Sequence, residues 1–270
     1  MRVHALYFSA TLTTKSVVEA IASATASSLE GPSFETHDVT VPEARAKLSF
    51  CKDDIVIFGC PVYIGRVPNL IKPYLETIEG NNAIGVPVVV YGNRNFDDAL
   101  AELHDMMAEE GFRCIAAAAF IGEHSFSRKL GYARPDESDL KIASEFGRNV
   151  SIIAKELGEN LPQNPEIPGN RPYRFFKAVD DEGKPFDIRK VKPVTDTGKC
   201  NRCGACVKMC PMGSIDRQNP SLVPGICIKC GACVKRCPTG AKSFTDREFL
   251  RHLAILERDQ MSRKEPVMFF

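Results

Sequence analysis

A duplicated cysteine motif near the carboxyl end is the feature that most constrains this chain. Cys200, Cys203, Cys206 and Cys210 are followed by Pro211, and the same spacing begins again at Cys227. The second copy comprises Cys227, Cys230, Cys233, Cys237 and Pro238. In such a motif three closely spaced thiolates bind one [4Fe–4S] cubane, and the cysteine before proline reaches the other cubane. The repeat therefore predicts two clusters.

Exchange of the fourth ligand assigns the eight cysteines to two crossed sets. One set is Cys200, Cys203, Cys206 and Cys237, and the other is Cys227, Cys230, Cys233 and Cys210. Clustered cysteines could instead bind zinc or form disulfides. Structural zinc sites usually combine separate C-x₂-C pairs and lack the third cysteine and the proline. Disulfides need an oxidising compartment, and the sequence shows no export signal. Iron–sulfur chemistry is therefore the prediction, and Cys51, Cys60 and Cys114 are predicted to be buried core residues.

Composition and charge narrow the function classes. The chain has 270 residues, of which 44% are hydrophobic, which suits two domains with real cores. The net charge is −5 over residues 1–195 and +6 over residues 196–270. Two clusters with four thiolates each would carry about −4 in all, which leaves too little positive charge to predict a nucleic-acid partner. Without a signal peptide or a membrane span in the sequence, we expect a cytoplasmic protein and no membrane partner.

Alternating strand-like and helix-like segments occupy residues 1–158. Strands are predicted at 2–8, 33–39, 54–59, 86–91 and 114–121, and helices at 14–30, 68–79, 96–111 and 136–158, the last ended by Gly158. This order predicts an α/β fold with a doubly wound parallel sheet. A Pro-rich connection (159–195) follows and is expected to pack on the first domain. The cluster domain covers 196–245, and 246–270 is predicted as a helical tail with its helix at 245–258.

The turn after the first predicted strand is rich in hydroxyl groups. Ser9, Thr11, Thr13 and Thr14 lie where a helix is about to begin. Backbone N–H groups and hydroxyls at a helix amino terminus favour a phosphate. The alternative is a simple helix cap without a ligand.

This turn resembles the phosphate loop of the flavodoxin family, which reads roughly (S/T)-x-T-G-x-T. Ser9, Thr11 and Thr14 fall on the hydroxyl positions, Thr13 adds another, and Leu12 stands where the family has glycine. The resemblance implies a five-stranded parallel sheet in the order 2-1-3-4-5. It also implies that this loop holds the phosphate of FMN.

Two further segments resemble the flavin-flanking loops of flavodoxins. They are Pro61, Val62, Tyr63, Ile64 and Gly65 after the third strand, and Tyr91, Gly92, Asn93 and Arg94 after the fourth. Both follow strands beside the expected switch point of the sheet, where such folds bind ligands. Over nearly its full length the chain resembles flavodoxin–ferredoxin fusion proteins of anaerobic bacteria and archaea, with small α+β two-cluster ferredoxin domains. The resemblance implies FMN, two [4Fe–4S] clusters and electron transfer.

Candidate catalytic residues are His124 and Tyr63. His124 follows the fifth strand and could donate to reduced flavin or to a substrate, or be an ordinary loop histidine. Tyr63 could stack on the flavin ring or pack its loop, and Arg94 could approach a flavin carbonyl or form an ion pair. His4 and Arg2 are predicted to be structural.

Electron transfer between the clusters, FMN and a partner redox protein is the leading functional prediction. The main alternative is an FMN-dependent reductase of a small molecule, with the clusters as its electron supply. A third reading is a cluster protein whose first domain has lost its flavin, which rests on Leu12 alone. Whether two chains form a homodimer is left open.

Overall fold

The architecture comes from a computed structural model that describes residues 1–31, 33–157, 165–179, 182–185 and 187–270. The predicted domain boundary at 158–159 and the predicted helix end at Gly158 lie outside these residues. The strands are β1 (Arg2–Tyr7), β2 (Phe34–Asp38), β3 (Asp54–Pro61), β4 (Ile84–Tyr91), β5 (Arg113–Cys114), β6 (Ala117–Ile121), β7 (Val194–Thr195), β8 (Lys242–Ser243) and β9 (Val267–Phe269). The α-helices are α1 (Thr13–Ser28), α2 (Lys72–Leu75), α3 (Ala99–Glu109), α4 (Glu137–Leu157), α5 (Ala205–Lys208), α6 (Ala232–Lys235) and α7 (Arg247–Asp259).

A parallel sheet forms the centre of the first domain. Its order is β2-β1-β3-β4-β6, which confirms the predicted order 2-1-3-4-5. All eight residues of β4 are buried, because parallel strands in such a sheet are covered on both faces. The flavodoxin-like fold class is thus correct.

Helices cover the two faces of this sheet. On one face α1 and α4 contribute Val17, Ile21, Phe146 and Val150 to a core against β1, β3 and β4. On the other face Leu75 of α2 and Leu100, Leu103 and Met106 of α3 complete a second core. This layering leaves the strand ends open, and the carboxyl ends of β1, β3, β4 and β6 all point to one edge.

The helix predicted at 68–79 is shortened to α2 at Lys72–Leu75, and two further predicted elements differ from the structure. The strand predicted at 114–121 is divided into β5 and β6, and Ile115 and Ala116 lie between them. The tail predicted to be helical contains α7 and then β9, which pairs antiparallel with β6. The apolar residues Val267–Phe269 add a strand to an otherwise exposed sheet edge, so the end of the chain is part of the first domain.

The three cysteines outside the motif also differ among themselves. Cys60 and Cys114 are buried, as predicted, but Cys51 is exposed. Cys51 precedes β3 and faces the side chains of Arg2 and Asp54, which keep it at the surface.

The described part of the Pro-rich connection lies along the first domain. The Asp98 carboxylate accepts backbone N–H bonds from Asn170 at 2.9 Å and Arg174 at 2.7 Å. Phe176 donates its N–H to the carbonyl of Ile64 at 2.9 Å, so the connection reaches the edge where the strands end.

The cluster domain repeats its backbone as well as its sequence. Short helices α5 and α6 begin after Gly204 and Gly231, whose φ angles are 71° and 73°. The preceding Arg202 and Lys229 also have positive φ angles, 55° and 56°. The small sheet of β7 and β8 closes the domain. Among the described helices, none is both long and apolar enough for a membrane span.

Candidate functional site

Hydrogen bonds of Ser9 hold the loop that resembles a phosphate-binding loop. The Ser9 hydroxyl accepts the N–H of Lys15 at 2.9 Å, and Thr40 accepts the N–H of Ser9 at 2.8 Å. Leu12 has φ 72° and ψ −5°, the left-handed conformation that glycine adopts readily, and it caps α1. Leucine at position 12 therefore adopts a backbone conformation that favours glycine.

An open, basic cleft of about 350 Å³ lies beside this loop. Its lining includes Thr11, Leu12 and Thr13 of the loop, the cations Arg128, Arg134, Lys235 and Arg236, and one carboxylate, Glu123. Thr14 does not line the cleft: it is buried, and its methyl group lies beside Gly59. Hydroxyl and guanidinium groups both donate hydrogen bonds to phosphate oxygens, so Thr11 and Thr13 stay candidate phosphate contacts, whereas Thr14 does not face the cleft.

A second cavity of about 520 Å³ opens at the same edge of the sheet, a size usual for small-molecule sites. From the predicted flavin loops it is lined by Val62, Tyr63, Ile64, Gly65, Tyr91, Gly92 and Arg94. Phe175 and Phe176 of the connection form a further wall, and residues 226–229 of the cluster domain form another. This cavity, called the ring cavity below, is largely apolar, as a flavin ring requires.

Two predicted loop residues lie outside the lining of the ring cavity. Pro61 ends β3. Asn93 is buried, and its side-chain amide donates to the carbonyls of Gln260 at 2.6 Å and Ser262 at 2.9 Å. Asn93 therefore ties the carboxyl-terminal tail to the β4 loop.

Arg94 forms an ion pair, one of the two roles predicted for it, and its approach to a flavin carbonyl stays a prediction. Its guanidinium forms an ion pair with Asp97 and lies 3.9 Å from the ring centroid of Phe176. It also lines the ring cavity. The ion pair and the stacked ring hold the cation where a polar flavin atom could accept its remaining N–H bonds.

His124 lines the ring cavity as a neutral imidazole. Its Nδ1 atom accepts the N–H of Phe126 at 3.1 Å, so the ring proton is on Nε2. Desolvation, with help from nearby Lys235, His252 and Arg94, lowers the pKa of His124 to about 4. At neutral pH His124 can donate a hydrogen bond, but it carries no acidic proton to deliver.

Tyr63 is the contact between the ring cavity and the cluster domain. Its ring is edge-on to Phe8 at 6.4 Å and packs with Ala10, Cys230 and Ile228. Desolvation, and then the thiol groups of Cys230, Cys60 and Cys227, raise the pKa of Tyr63 well above 10. The phenol therefore stays protonated across the physiological range.

The eight motif cysteines surround two separate small cavities. One is lined by Cys210, Cys227, Cys230 and Cys233, and the other by Cys200, Cys203, Cys206 and Cys237. These groups coincide with the two crossed sets that the sequence predicts. Four thiols around one cavity are the ligand set of a cubane, so the residues fit the two clusters.

Backbone hydrogen bonds to sulfur repeat in the two sites. Ser214 donates its N–H to Sγ of Cys210 at 3.4 Å, and Ala241 donates to Sγ of Cys237 at 3.3 Å. Such bonds tune cluster potential. Burial raises the pKa of Cys233 to about 12. For Cys237 desolvation is outweighed by bonds from Thr239 and Ala241, and its pKa is lowered.

Cys227 lies in the walls of both the ring cavity and the first cluster cavity, and so do Ile226 and Ile228. We call the set of Cys227, Cys230, Cys233 and Cys210 the near site and the other set the far site. The near site faces the ring cavity, whereas no described residue before Cys200 lines the far site.

Polar contacts dock the cluster domain on the first domain. Lys235 binds Glu123 and the carbonyl of Ser127, and Arg236 donates to the carbonyl of Ala10 at 3.3 Å. Arg45 donates to the carbonyl of Pro211 at 2.5 Å. Sequence reasoning missed these residues, because a lysine or arginine beside a cluster motif gives no sign of its partner. In the sequence, the opposite net charges of residues 1–195 and 196–270 indicated that the two domains could dock.

Comparisons with known proteins support the second domain most directly. A family model described as a 4Fe-4S dicluster domain matches residues 199–241. No curated protein matches the chain.

Solved structures are similar to the first part of the chain. A flavodoxin from the domain Archaea is 15% identical with a TM-score of 0.39, covering 57% of this chain and 99% of its own. Oxidised flavodoxin 1 from Bacillus cereus is 15% identical with a TM-score of 0.41, covering 54% and 95%. Rubredoxin oxygen:oxidoreductase from the anaerobe Desulfovibrio gigas is 14% identical with a TM-score of 0.42, covering 57% of this chain and 36% of its own.

Proposed function

We propose that this chain, a flavodoxin-like domain fused to a 4Fe-4S dicluster domain, relays electrons between a partner redox protein and FMN through its two clusters. When bound, the clusters supply one-electron exchange and FMN supplies a carrier of one or two electrons. The observation that carries the proposal is the shared wall: Cys227 lines both the near site and the ring cavity.

FMN would be held at the edge where the parallel strands end. Thr11, Thr13 and Arg236 would bind the phosphate in the basic cleft. The ring would lie in the ring cavity between the two predicted loops, with Arg94 and the Nε2–H of His124 as donors. The polar contacts of Lys235, Arg236 and Arg45 keep the near site beside this cavity, which makes exchange effectively intramolecular.

The far site is where the partner would dock. Cys203 is exposed, whereas Cys230 and Cys233 are only 9% exposed. The far site thus has an exposed ligand, whereas two ligands of the near site are buried, which favours the far site for the approach of a protein donor or acceptor. The ring cavity has walls from the loops, the connection and the cluster domain, so a large partner would not reach the ring directly.

The alternative, a small-molecule reductase, needs a proton donor in the ring cavity. The two candidate residues are poor donors at neutral pH. The pKa of His124 is lowered to about 4, so it is already deprotonated, and that of Tyr63 is raised well above 10. These shifts support the relay over the reductase.

Anaerobic stopped-flow spectroscopy tests the relay. FMN binding and iron content are measured first, and reduced methyl viologen is then mixed with wild type and with Cys230→Ala. We expect Cys230→Ala to retain FMN but to lose rapid flavin reduction. Equal flavin reduction rates in the two proteins would exclude the near site as the electron source. A fragment ending near residue 195 is a poor substitute, because it lacks β9 and the tail that Asn93 holds.

A further inference from the structure

Three side chains with metal-binding atoms converge at the β2 edge of the sheet, away from the redox site. Glu35 and His37 are two residues apart on β2, so their side chains emerge on one face. His4 of β1 is the register partner of Glu35 and faces the same way. The topology therefore brings two imidazoles and one carboxylate together.

The distances between these atoms suit one ion. His4 Nδ1 lies 3.1 Å from His37 Nε2 and 3.6 Å from Glu35 Oε2, and His37 Nε2 lies 3.8 Å from Glu35 Oε1. Ligands at 2.0–2.2 Å from a tetrahedral zinc ion are about 3.4 Å apart, which is within this range.

Asp54 orients the buried histidine. His4 is 4% exposed, and its Nε2 makes no hydrogen bond in the described part of the chain but lies 3.4 Å from Asp54 Oδ1. Arg2 binds the same carboxylate at 2.8 Å and 3.1 Å. Because the Asp54 carboxylate faces Nε2, it favours the proton on that nitrogen, which leaves the Nδ1 lone pair directed at His37 and Glu35. A carboxylate behind a ligand histidine is the usual support of a metal site.

Both imidazoles are suited to metal binding. The side chain of His37 is 15% exposed and that of His4 is 5% exposed, so both rings are held in place by packing. The Phe50 ring lies 5.0 Å from the ring of His4 and 5.6 Å from that of His37, and it restricts their rotation. Glu35 is 65% exposed, so one coordination position would open to solvent.

We propose that His4, Glu35 and His37 form a binding site for a divalent first-row transition-metal ion of the zinc type. Two imidazoles and a carboxylate are a ligand set for such ions. The sequence alone indicated only a structural role for His4. The site is independent of the redox centre, and it would fasten the edge strand β2 to β1.

The test uses the holoprotein with both clusters assembled anaerobically, so that the motif cysteines are occupied, and Zn²⁺ as the probe. Equilibrium dialysis should show one zinc bound per chain, absent from His37→Gln. Asp54→Asn should weaken zinc binding about 10- to 100-fold, as loss of a supporting carboxylate does. Zinc should raise the melting temperature of wild type but not of His37→Gln.

Cys51→Ser is the matched control, because Cys51 contacts Asp54 but belongs to no proposed ligand set. It should bind zinc as wild type does. X-ray absorption of the bound zinc should show only nitrogen and oxygen at about 2.0–2.2 Å. A sulfur shell at about 2.3 Å, or zinc binding unchanged in His37→Gln, would overturn the proposal and leave a hydrogen-bonded histidine pair.

Discussion

The near and far cluster sites have the same motif and the same backbone but different surroundings. Gly204 and Gly231 cap identical Ala-Cys-Val-Lys helices at nearly equal φ angles. Yet Cys203 is exposed, whereas Cys230 packs against Ala10 and Tyr63 of the first domain. The repeated motif thus determines how the cysteines are arranged, while contact with the first domain determines how exposed they are. Because exposure tunes potential and access, two copies of one motif can serve two roles.

The differences between the copies lie in the residues between the cysteines. Arg236 of the near copy corresponds to Met209 of the far copy, and half-buried Lys235 corresponds to exposed Lys208. Substitutions at Lys235 and Gly231 of the near copy therefore have controls, Lys208 and Gly204, at the same positions of the far copy.

Replacing either cysteine that precedes a proline, Cys210 or Cys237, should give the largest effect. Cys210→Ala should eliminate the near cluster, since Cys210 lines the near cavity, and leave about four of about eight irons. Cys237→Ala should eliminate the far cluster instead. Electron paramagnetic resonance decides this: the Cys210→Ala spectrum should match that of Cys230→Ala. A match to Cys203→Ala would mean that each motif keeps its own fourth ligand.

The capping glycines give the next largest effect. Alanine at Gly204 should cost about 1–2 kcal/mol of unfolding free energy, from the left-handed backbone alone, because no atom lies within 4 Å of the added Cβ. Gly231→Ala adds a Cβ 2.4 Å from the carbonyl of Ser125. Overpacking of this kind adds about 1–3 kcal/mol. Denaturant unfolding of both variants measures the difference, and equal losses would show that Gly231 does not contact the first domain.

The sequence predicted the cluster ligands and the sheet order for clear physical reasons. The spacing of Cys200 to Cys237 restricts which thiols can share a cubane, and buried runs such as Val86–Tyr91 admit few structures other than a parallel strand. The position of β9 could not be predicted, because three apolar residues at Val267–Phe269 are too short to show a period. The contacts of Asn93 and Arg236 were also hidden, since both depend on distant backbone carbonyls.

Arg236 should contribute to FMN affinity. Arg236→Met introduces the residue that the far copy has at the corresponding position, Met209. It removes a guanidinium from the basic cleft. A lost hydrogen bond to a charged group costs about 1.5–3 kcal/mol, so FMN affinity should fall about 10- to 100-fold. Arg202→Met, an exposed site in the far copy, makes the same charge change and should leave affinity unchanged. Fluorescence titration of FMN compares them, and equal affinities would place the phosphate elsewhere.

Lys235 should stabilise docking by a smaller amount. Its side chain is 10% exposed and pairs with Glu123, which is 22% exposed. Lys235→Met leaves that carboxylate without its partner and should lower the free energy of unfolding by about 1–3 kcal/mol, less than for a fully buried pair. Lys208→Met should change it by less than about 0.5 kcal/mol. Thermal melts at low and high salt compare the variants; a loss as large in Lys208→Met would contradict the docking role.

Substitution of Leu12 should give the smallest effect. Leu12 has the same backbone conformation as the capping glycines of the two cluster motifs. Its φ and ψ of 72° and −5° nearly equal those of Gly204 and Gly231, but leucine is strained there by about 1–2 kcal/mol. Leu12→Gly removes the strain. It also destabilises the fold by about 0.5–1 kcal/mol, because glycine has more conformational freedom in the unfolded chain. Because the side chain is 41% exposed, little packing is lost. We therefore expect a gain in unfolding free energy of about 0–1.5 kcal/mol, and FMN affinity at least equal to that of wild type. Weaker FMN binding in Leu12→Gly would show that the leucine side chain itself contacts the cofactor.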